Sequence, residues 1–474
     1  MAATLFGKAT ETTAPQRAIS PTASDLPERA WISSRAVFLL LAAAFAGLAT
    51  RMFFLISQYA VNIFYSDQWE FNDATLFQKH SFWQMFNWQH GPHRQGLGAL
   101  FEKLVDPLSG WNSRVESFVV GGVVVVAALC ALLLKHRLYG RLVLSDIVIP
   151  AILFTPAQWE TLVLTPNFAH GPLPLLLVML YFLAWTLPNG KTKLPLVLLV
   201  NFFTVYTGFG LLLGLVTPLL LLLDHATTDA QQRVSKVYLW LAVAVSLLSL
   251  GSFFMGWKFN PDLDCFSPQP RSPGWYTVYV ALMLANFFAV HGVTTAPRMV
   301  GGVVLLVLVA AALTALRQMI FEPRLESRKA LVTQRLVSFA MIVYSLLFCA
   351  ATAYGRLCGG LPQSSRYVIY LEIAMLGLYF YLLSLPSGPL RKWTLALFLA
   401  STLSAVAVAD RSEVFLYTLG KQQWKECYLR TEDFAGCNDT VGFTIFSHAP
   451  ERTRLREKLE FLKKARLNLY LDAH

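Results

Sequence analysis

The sequence predicts an all-α protein that crosses a membrane many times, and two observations carry this prediction. Of its 474 residues, 55% are hydrophobic and only 14% are charged, a composition outside the range of soluble globular proteins. The apolar residues also gather into about eleven runs, each of membrane-spanning type. Because lipid offers no hydrogen-bond partners, the backbone of each run must form a helix.

The apolar runs define a transmembrane domain over residues 36–409. They are 36–57, 115–134, 144–163, 172–187, 194–223, 237–257, 275–293, 299–316, 336–354, 367–385 and 393–409. The preceding segment, 1–35, is rich in Thr, Ser, Pro and Ala and lacks apolar periodicity, so we expect a disordered cytoplasmic tail. The first run is too long for the apolar core of a cleavable signal peptide and is expected to remain as a membrane anchor.

A small polar region, 410–474, follows the last run. Cys427 and Cys437 lie within it and would form a disulfide if the region faces an oxidising compartment. Cys130 and Cys349 lie inside apolar runs and are most simply small apolar residues. The sequence has no CxxC or Cys/His spacing typical of zinc, so no metal site is predicted from the cysteines.

The distribution of basic residues orients the chain. Lys135, Arg137 and Arg141 follow the second run, and a basic segment, 317–335, follows the eighth. An excess of Lys and Arg marks the cytoplasmic loops of membrane proteins. We therefore predict a multi-pass membrane protein with its N-terminus inside and 410–474 outside. This bias accounts for the net charge of +11 without a nucleic-acid partner.

The fifth run, 194–223, is ambiguous because it is too long for an upright span. As one helix it would measure about 45 Å, against roughly 30 Å of hydrocarbon. Tyr206-Thr-Gly-Phe-Gly210 offers a point where it would break into a helical hairpin. We expect a single tilted span, because two spans would reverse the chain downstream and place 317–335 outside.

The first outer loop, 58–114, carries polar and aromatic side chains that a short connector would not need. One set has helical spacing: Leu97, Leu100, Phe101, Leu104, Val105 and Leu108. A second set is aromatic: Phe71, Phe77, Phe82, Trp83, Phe86 and Trp88. Together they predict two helices lying along the membrane surface, which hold the polar groups at its edge. Simple packing on neighbouring spans is the alternative.

Asp67 is the first carboxylate after the first span, and Glu70 and Asp73 follow at helical spacing. A carboxylate at a membrane edge has two specific functional roles, as a general base on a hydroxyl group or as a ligand of a divalent metal ion. The alternative is an acid in solvent or a helix cap.

His90 and His93 bracket a Gly-Pro turn, and Arg94 is adjacent. Imidazole and guanidinium donors on such a turn are suited to binding a phosphate. Two histidines without a third ligand do not define a metal site. The alternative is an interfacial polar turn with aromatic anchors.

Arg356 and Arg366 stand at the two ends of a Gly-rich outer loop, and Tyr367 follows. Paired arginines facing such a loop favour bidentate binding of a phosphate. The alternative is that both extend to the lipid headgroups.

Glu160 and His170 lie in an outer turn without Lys or Arg. A carboxylate near the membrane needs a partner, and Arg51 near the end of the first span is a candidate. A structural ion pair and a role in the site are equally compatible with this pattern.

The motifs Ser66-Asp67-Gln68, His90-Gly-Pro-His93 and Ser365-Arg366-Tyr367, together with the span layout up to about residue 410, resemble the GT-C class of integral-membrane glycosyltransferases. Its bacterial branch includes aminoarabinose transferases, protein mannosyltransferases and RgtA/B/C/D-like proteins. That class has an acidic pair where this chain has Asp67 alone, and a His-Pro-Pro-like segment where this chain has His90-Gly-Pro-His93.

The resemblance implies sugar transfer at the outer face, from a polyprenyl-phosphate donor to a hydroxyl of an envelope lipid, glycan or protein. Asp67 would be the base, and His93, Arg94, Arg356 and Arg366 would stabilise the departing phosphate. No cofactor is required by this reading, and the single acid weighs against a divalent metal. The sequence contains no GxxxxGK[ST] motif, which argues against an ATP-driven pump.

A transporter or lipid flippase is the rival class, and a non-catalytic envelope scaffold is the third. A transferase must hold its base and its phosphate-binding cations in one pocket. We therefore expect Asp67 and at least one of Arg356 and Arg366 to line one outer-face cavity that opens toward lipid.

Overall fold

The structure is a computed structural model that describes residues 34–188, 190–228, 233–258, 272–321, 329–409, 411–446 and 454–471. The predicted tail therefore lies outside the described residues, apart from positions 34 and 35. The described residues are 79% helical with almost no strands. Its two short strands, β1 (Gln89–His90) and β2 (His93–Arg94), form one antiparallel hairpin.

The helices, with bounds, are α1 (Ser34–Tyr59), α2 (Gln68–Asn72), α3 (Phe82–Phe86), α4 (Leu97–Val105), α5 (Ser113–Tyr139), α6 (Val148–Leu153), α7 (Pro172–Trp185), α8 (Gly190–Val205), α9 (Leu211–Thr227), α10 (Lys236–Phe253), α11 (Pro273–Phe287), α12 (Thr295–Phe321), α13 (Lys329–Arg356), α14 (Val368–Ser384), α15 (Pro389–Val408), α16 (Ser412–Thr431), α17 (Phe434–Val441) and α18 (Leu455–Ala465). Single π-helical turns at Asp73–Phe77 and Glu160–Leu164 extend this set.

Within the described residues, seven helices are long and apolar enough to cross a membrane. They are Arg35–Tyr59, Ser113–Tyr139, Lys236–Phe253, Thr295–Phe321, Ala330–Arg356, Ser365–Ser384 and the stretch Pro389–Thr431, which holds α15 and α16. Shorter apolar helices over Leu144–Gln158, Pro172–Trp185 and Leu211–Thr227 accompany them. These findings confirm an all-α polytopic membrane protein, and the count of eleven spans stays a prediction.

Burial separates a protein core from a lipid-facing shell. The helix α14 is apolar on all sides, and every residue from Val368 to Leu383 is buried. By contrast, α1, α10 and α12 expose large apolar side chains such as Phe38, Leu248 and Leu306. A helix that is apolar all round belongs in the interior, and an exposed apolar face is suited to lipid.

The bundle has two opposite ends. One end, which we call the site face, carries residues 60–112. At the other end the buried Lys135 Nζ lies 2.7 Å from Asp146 Oδ2, and the Tyr379 hydroxyl donates to Asp146 Oδ1 at 2.6 Å. Lys193 pairs with Asp224 at 2.6 Å. We call this end the basic face; which membrane side it occupies stays a prediction.

The expectation of a single span over 194–223 is wrong. Helix α8 ends at Val205 and α9 begins at Leu211, and the turn between them lies at the site face. A Cβ on Gly210 would overlap the Thr204 carbonyl oxygen, so this glycine permits the tight turn. Thr217 donates to Asn201 at 2.7 Å, which ties the two helices together as an antiparallel hairpin.

The predicted span 275–293 is corrected as well, because α11 keeps to the site end of the bundle. The Tyr276 ring stacks on Tyr354, and the Tyr279 hydroxyl lies 3.4 Å from the Gly360 carbonyl oxygen. Near its other end, Asn286 donates to the Gln363 carbonyl at 3.0 Å. At about 1.5 Å per residue α11 is also shorter than the roughly 30 Å of hydrocarbon.

Two short helices in the first loop carry the predicted amphipathic character. In α4 the apolar Leu104 is 64% exposed while Ala99 is buried. In α3, Phe82 and Trp83 are exposed, and Ser81 begins the helix with a capping box that involves Gln84. The helix predicted over 97–108 is confirmed as α4, whereas the aromatic segment 71–88 is divided among α2, a π-helical turn and α3 and is not a single helix. The position of these elements in the headgroup layer stays a prediction.

The C-terminal region docks on the site face. Asn468 Nδ2 donates to the Trp111 carbonyl at 2.7 Å, and Lys458 Nζ lies 2.8 Å from Asp73 Oδ1. Cys427 and Cys437 are joined by a disulfide with Cα atoms 5.8 Å apart, which confirms the predicted pairing. The polar region is therefore a covalently braced part of the site face.

Candidate functional site

Asp67 stands at the N-terminus of α2, but it is not a cap. Its carboxylate makes no capping hydrogen bond to the helix backbone. Instead, Arg366 Nη1 donates to Asp67 Oδ2 at 3.4 Å, and Ser66 Oγ donates to Asp67 Oδ1 at 3.4 Å. Ser66 itself has φ +50°, a left-handed conformation that is uncommon for residues other than glycine and clusters at functional sites.

Arg366 lies between two carboxylates. Besides Asp67, its Nε is 3.6 Å from Glu160 Oε1, and its backbone N–H donates to Glu160 Oε2 at 3.1 Å. Ser364 Oγ donates to the same Glu160 oxygen at 2.7 Å. Glu160 thus holds the start of α14 in place and orients the Arg366 guanidinium toward Asp67.

Arg51, the partner suggested for Glu160 by the sequence, is elsewhere. Its Nη2 donates to the Val406 carbonyl at 2.7 Å. The counter-charge of Glu160 comes from Arg366, more than two hundred residues further along the chain than Glu160. The expectation of an Arg51–Glu160 pair was wrong, because the sequence near Glu160 does not reveal that the loop with Arg366 packs against it.

Three histidines gather around Phe71. The His90 ring lies 4.3 Å and the His170 ring 5.0 Å from the Phe71 ring centroid. His93 meets His170 edge to face at 5.1 Å. His90 Nε2 pairs with Glu70 Oε2 at 2.9 Å, which links this cluster to the ridge of α2 that also carries Asp67.

Burial keeps two of these imidazoles neutral. Burial, together with the nearby His90 and Arg356, lowers the pKa of His93 to about 3. Burial likewise lowers the pKa of His170 well below its ordinary value, with His93 next in effect. Such low pKa values favour the neutral form of both imidazoles near pH 7, which counts against His93 as the phosphate-binding cation that the sequence suggested.

Arg94 is a structural clamp, which corrects its predicted role. Its side chain is 2% exposed, and it donates to the Phe253 carbonyl at 2.9 Å, to Met255 at 2.8 Å and to Asn87 at 2.6 Å. These contacts tie the β-hairpin to the end of α10. A guanidinium engaged with three carbonyl groups has little donor capacity left for a phosphate.

Arg356 and Tyr367 complete the surroundings of Arg366. Arg356 ends α13 at the site face, is exposed, and lies close enough to His93 to lower the pKa of that imidazole. The Arg366 guanidinium lies 5.9 Å from the centroid of the buried Tyr367 ring. The two loops that the sequence assigned to one site do meet; a shared cavity open to lipid stays a prediction.

A buried acidic group beneath α2 escaped the sequence analysis. Gln68 donates to Glu116 at 3.2 Å, and Glu102 and Asp106 lie close by on α4 and its end. Burial raises the pKa of Glu102 well above its ordinary value and that of Asp106 to about 7. The only sequence signal was the four-residue spacing of Glu102 and Asp106, which is also typical of a solvated helix face.

Among the described residues, no group of three or more His, Cys, Asp or Glu side chains has the geometry to hold a metal ion. The fold and the site together define a polytopic helical membrane protein with a carboxylate–guanidinium centre at one face. Comparison with family models, curated proteins and solved structures finds no match.

Proposed function

We propose that the protein is a membrane glycosyltransferase of the GT-C type. It would move a sugar from a polyprenyl-phosphate donor to a hydroxyl of an envelope lipid, glycan or protein at the outer face of a bacterial inner membrane. The observation that carries this proposal is the meeting of Asp67 and Arg366, 299 residues apart in sequence, at 3.4 Å on one face of the bundle.

Asp67 fits the role of general base. In the transfer the acceptor oxygen attacks the anomeric carbon, its proton passes to a base, and the bond from the anomeric carbon to the phosphate oxygen breaks. The Asp67 side chain is 32% exposed, and both of its hydrogen bonds are long at 3.4 Å, so an acceptor hydroxyl can replace them. His93 is a weak base, because its pKa is lowered to about 3 mainly by burial.

Arg366 fits the role of the group that binds the leaving phosphate. Its side chain is 41% exposed and its fork of N–H donors matches phosphate oxygens. Glu160 fixes the guanidinium through an ion pair and two hydrogen bonds to the preceding loop, so its orientation precedes substrate binding. Arg356 supplies a second positive charge on the same face.

Phosphate binding would also release the base. Arg366 is now shared between Asp67 and Glu160 at 3.4 and 3.6 Å, distances at the outer limit of an ion pair. A donor phosphate placed on Arg366 competes with Asp67 for the same N–H groups. The donor would thereby free Asp67 for the acceptor hydroxyl, which favours binding of the donor first.

An apolar groove gives the donor's lipid tail a place next to the site face. It has a volume of about 540 Å³ and lies between α8 and α10. Its lining is Pro195, Leu198, Leu199, Phe202, Val245, Leu248, Ser249 and Ser252. At the site end, Tyr206 donates to Ser252 at 3.0 Å, and the turn that follows Tyr206 contacts His93. A polyprenyl chain in this groove would stay in lipid while its phosphate approaches the site.

One observation favours the rival class of transporter or flippase. Glu372 is fully buried in α14, and neither carboxylate oxygen has a hydrogen-bond partner. Ionisable groups inside a membrane often mark the pathway of an ion or proton. Under the transferase proposal, Glu372→Gln should retain sugar transfer. Absence of sugar transfer by the wild-type protein, together with ion-dependent transport that Glu372→Gln abolishes, would favour the transporter.

The proposal is tested with purified protein in proteoliposomes supplied with radiolabelled polyprenyl-phosphate sugars and crude envelope acceptor. We expect polyprenyl phosphate to be released only when the acceptor is present. The rate of this release should be at least about a hundredfold lower in Arg366→Gln. Arg298→Gln, which removes another exposed arginine near the start of α12, is the matched control and should behave as wild type. Equal release by both variants would refute the assignment of Arg366.

A further inference from the structure

A second cavity opens beside the carboxylate–guanidinium centre, between the first loop and the C-terminal region. Its volume is about 540 Å³, within the range of roughly 300–1,000 Å³ that is typical of small-ligand sites. Its lining is Glu70, Asp73, Phe77, Gln78, Trp88, Gln89, His90, Gly91, Arg454, Glu457, Lys458 and Phe461. We call it the loop cavity.

The ionisable groups of the loop cavity are arranged in hydrogen-bonded pairs, so each carboxylate already has a donor. The pairs are Glu70–His90, Asp73–Lys458 and Glu457–Arg454. Lys458 also donates to the Trp69 carbonyl at 2.7 Å, so its ammonium group binds both Asp73 and Trp69. An ionic ligand would have to break one of these pairs before it found a counter-charge. A neutral ligand can use the outer N–H groups and oxygens of the pairs without breaking them.

Aromatic side chains supply the remaining surface. The Phe77 and Phe461 rings meet edge to face at 5.7 Å, and Phe461 is 42% exposed. Trp88 lines the same cavity and is half-buried. Ring faces next to hydrogen-bonding groups match a sugar, which has an apolar C–H face and polar hydroxyl edges.

We propose that the loop cavity is an acceptor subsite for a neutral carbohydrate chain. This role as acceptor subsite rests on the proposed transferase function, and it selects a glycan from the three acceptor classes. Glu70 lines the cavity and stands one helical turn after Asp67, so the cavity adjoins the proposed base along α2. A chain held there can present its terminal hydroxyl to Asp67.

The C-terminal region gains a function from this arrangement. Helix α18 and the residue before it contribute four lining side chains: Arg454, Glu457, Lys458 and Phe461. Lys458 fastens the helix to the π-helical turn that starts at Asp73. The region therefore forms one wall of the cavity and holds that wall in register with α2.

The test is direct binding of oligosaccharides to the full-length protein in nanodiscs, without a donor. The probes are neutral gluco-, galacto-, manno- and arabino-oligosaccharides, with oligogalacturonate and chitosan oligomers as charged counterparts. We expect at least one neutral series to bind more tightly than both charged probes. Phe461→Ala and Gln78→Trp should weaken this binding by about tenfold or more.

The variants separate loss of a site from loss of fold. Gln78 is exposed, so a tryptophan there blocks the cavity from outside without disturbing the core. Trp83→Ala removes an exposed aromatic residue of the same loop outside the cavity and should bind as wild type. No neutral binding, preference for a charged probe, or binding unaffected by both cavity variants would overturn the subsite.

The outcome does not depend on the transferase assay. Intact, cavity-dependent binding in wild type together with full transfer in Asp67→Asn would leave the carbohydrate site standing and refute the proposed catalytic role. Normal transfer without any cavity-dependent binding would refute the carbohydrate site and leave the proposed transferase function standing.

Discussion

Replacing Asp67 by asparagine should remove activity and leave the fold intact. The carboxylate is 32% exposed and makes two contacts, both at 3.4 Å. Exposed ion pairs of this kind contribute about 0–1 kcal/mol, so the free energy of unfolding should fall by less than about 1 kcal/mol. Loss of a general base typically lowers the rate by about 10²–10⁴-fold, equivalent to roughly 3–5 kcal/mol of barrier.

Glu160→Gln is the matched control, because Glu160 shares Arg366 with Asp67. Its side chain is 15% exposed, and Ser364 Oγ and the Arg366 backbone N–H both donate to it. Hydrogen bonds to a charged group contribute roughly 1.5–3 kcal/mol each, so this variant should lose more stability than Asp67→Asn. The two acids of one cluster are thereby predicted to separate, one catalytic and one positioning.

The assay compares initial rates of sugar transfer in proteoliposomes with melting temperatures of the same preparations. Asp67→Asn should show the greater loss of kcat and Glu160→Gln the greater loss of Tm. Retention of more than about a tenth of the wild-type kcat by Asp67→Asn would contradict its role as base. Collapse of that variant during purification would contradict the argument from its few contacts.

Three further predictions concern stability and topology. Burial raises the pKa of Asp106 from 3.8 to about 7, so the folded protein binds this proton more tightly than the unfolded chain. Ionised Asp106 therefore destabilises the fold increasingly as pH rises from about 4 to about 7. The Tm of Asp106→Asn minus that of wild type should grow from pH 4.5 to pH 7.5, and a constant difference would contradict this. Replacing Cys427 and Cys437 by serine should lower the free energy of unfolding by roughly 3 kcal/mol, and alkylation without reductant should leave both unmodified in wild type. Cysteines introduced within 317–335 should resist an impermeant thiol reagent added from outside, whereas one at Ser412 should react; the opposite labelling would reverse the predicted orientation.

The class of protein could be predicted from the sequence because the chemistry of lipid leaves few options. Apolar runs of this length must be helices, and the described chain is helical as expected. The meeting of Asp67 with Arg366 was also predicted, from the hypothesis that a base and a phosphate-binding cation act on one substrate. Neither inference needed the path of the chain between the two residues.

The roles of individual cations could not be predicted in the same way. Arg94 follows two histidines on a Gly-Pro turn and looks like a phosphate ligand, yet its donors bind carbonyl groups at the end of α10. Those carbonyls belong to a segment about 160 residues away, where the helix ends and leaves them without partners. Which carbonyls a guanidinium meets depends on packing that no local motif encodes.

The environment of the buried acids Glu102 and Asp106 also could not be predicted from the sequence. The spacing of Glu102 and Asp106 on α4 is that of a polar helix face, which in isolation would point to solvent. Here both are buried near Glu116, to which Gln68 of α2 donates a hydrogen bond. The amphipathic pattern correctly predicted a helix but assigned its polar face to the wrong environment.

Two errors in the predicted span layout cancel, and the reason is physical. Splitting 194–223 into α8 and α9 adds one crossing, whereas α11 stays at the site face and removes one. The C-terminal region consequently ends on the same face as residues 60–112, as the contact of Asn468 with Trp111 requires. The basic loop 317–335 led to the same arrangement, because its charge predicts an inner position whatever the number of helices before it. The eleven Lys and Arg after position 410 pointed the other way, but long polar regions follow the charge rule poorly. The basic loop therefore predicted the shared face of 58–114 and 410–474 more reliably than the division of apolar runs into spans.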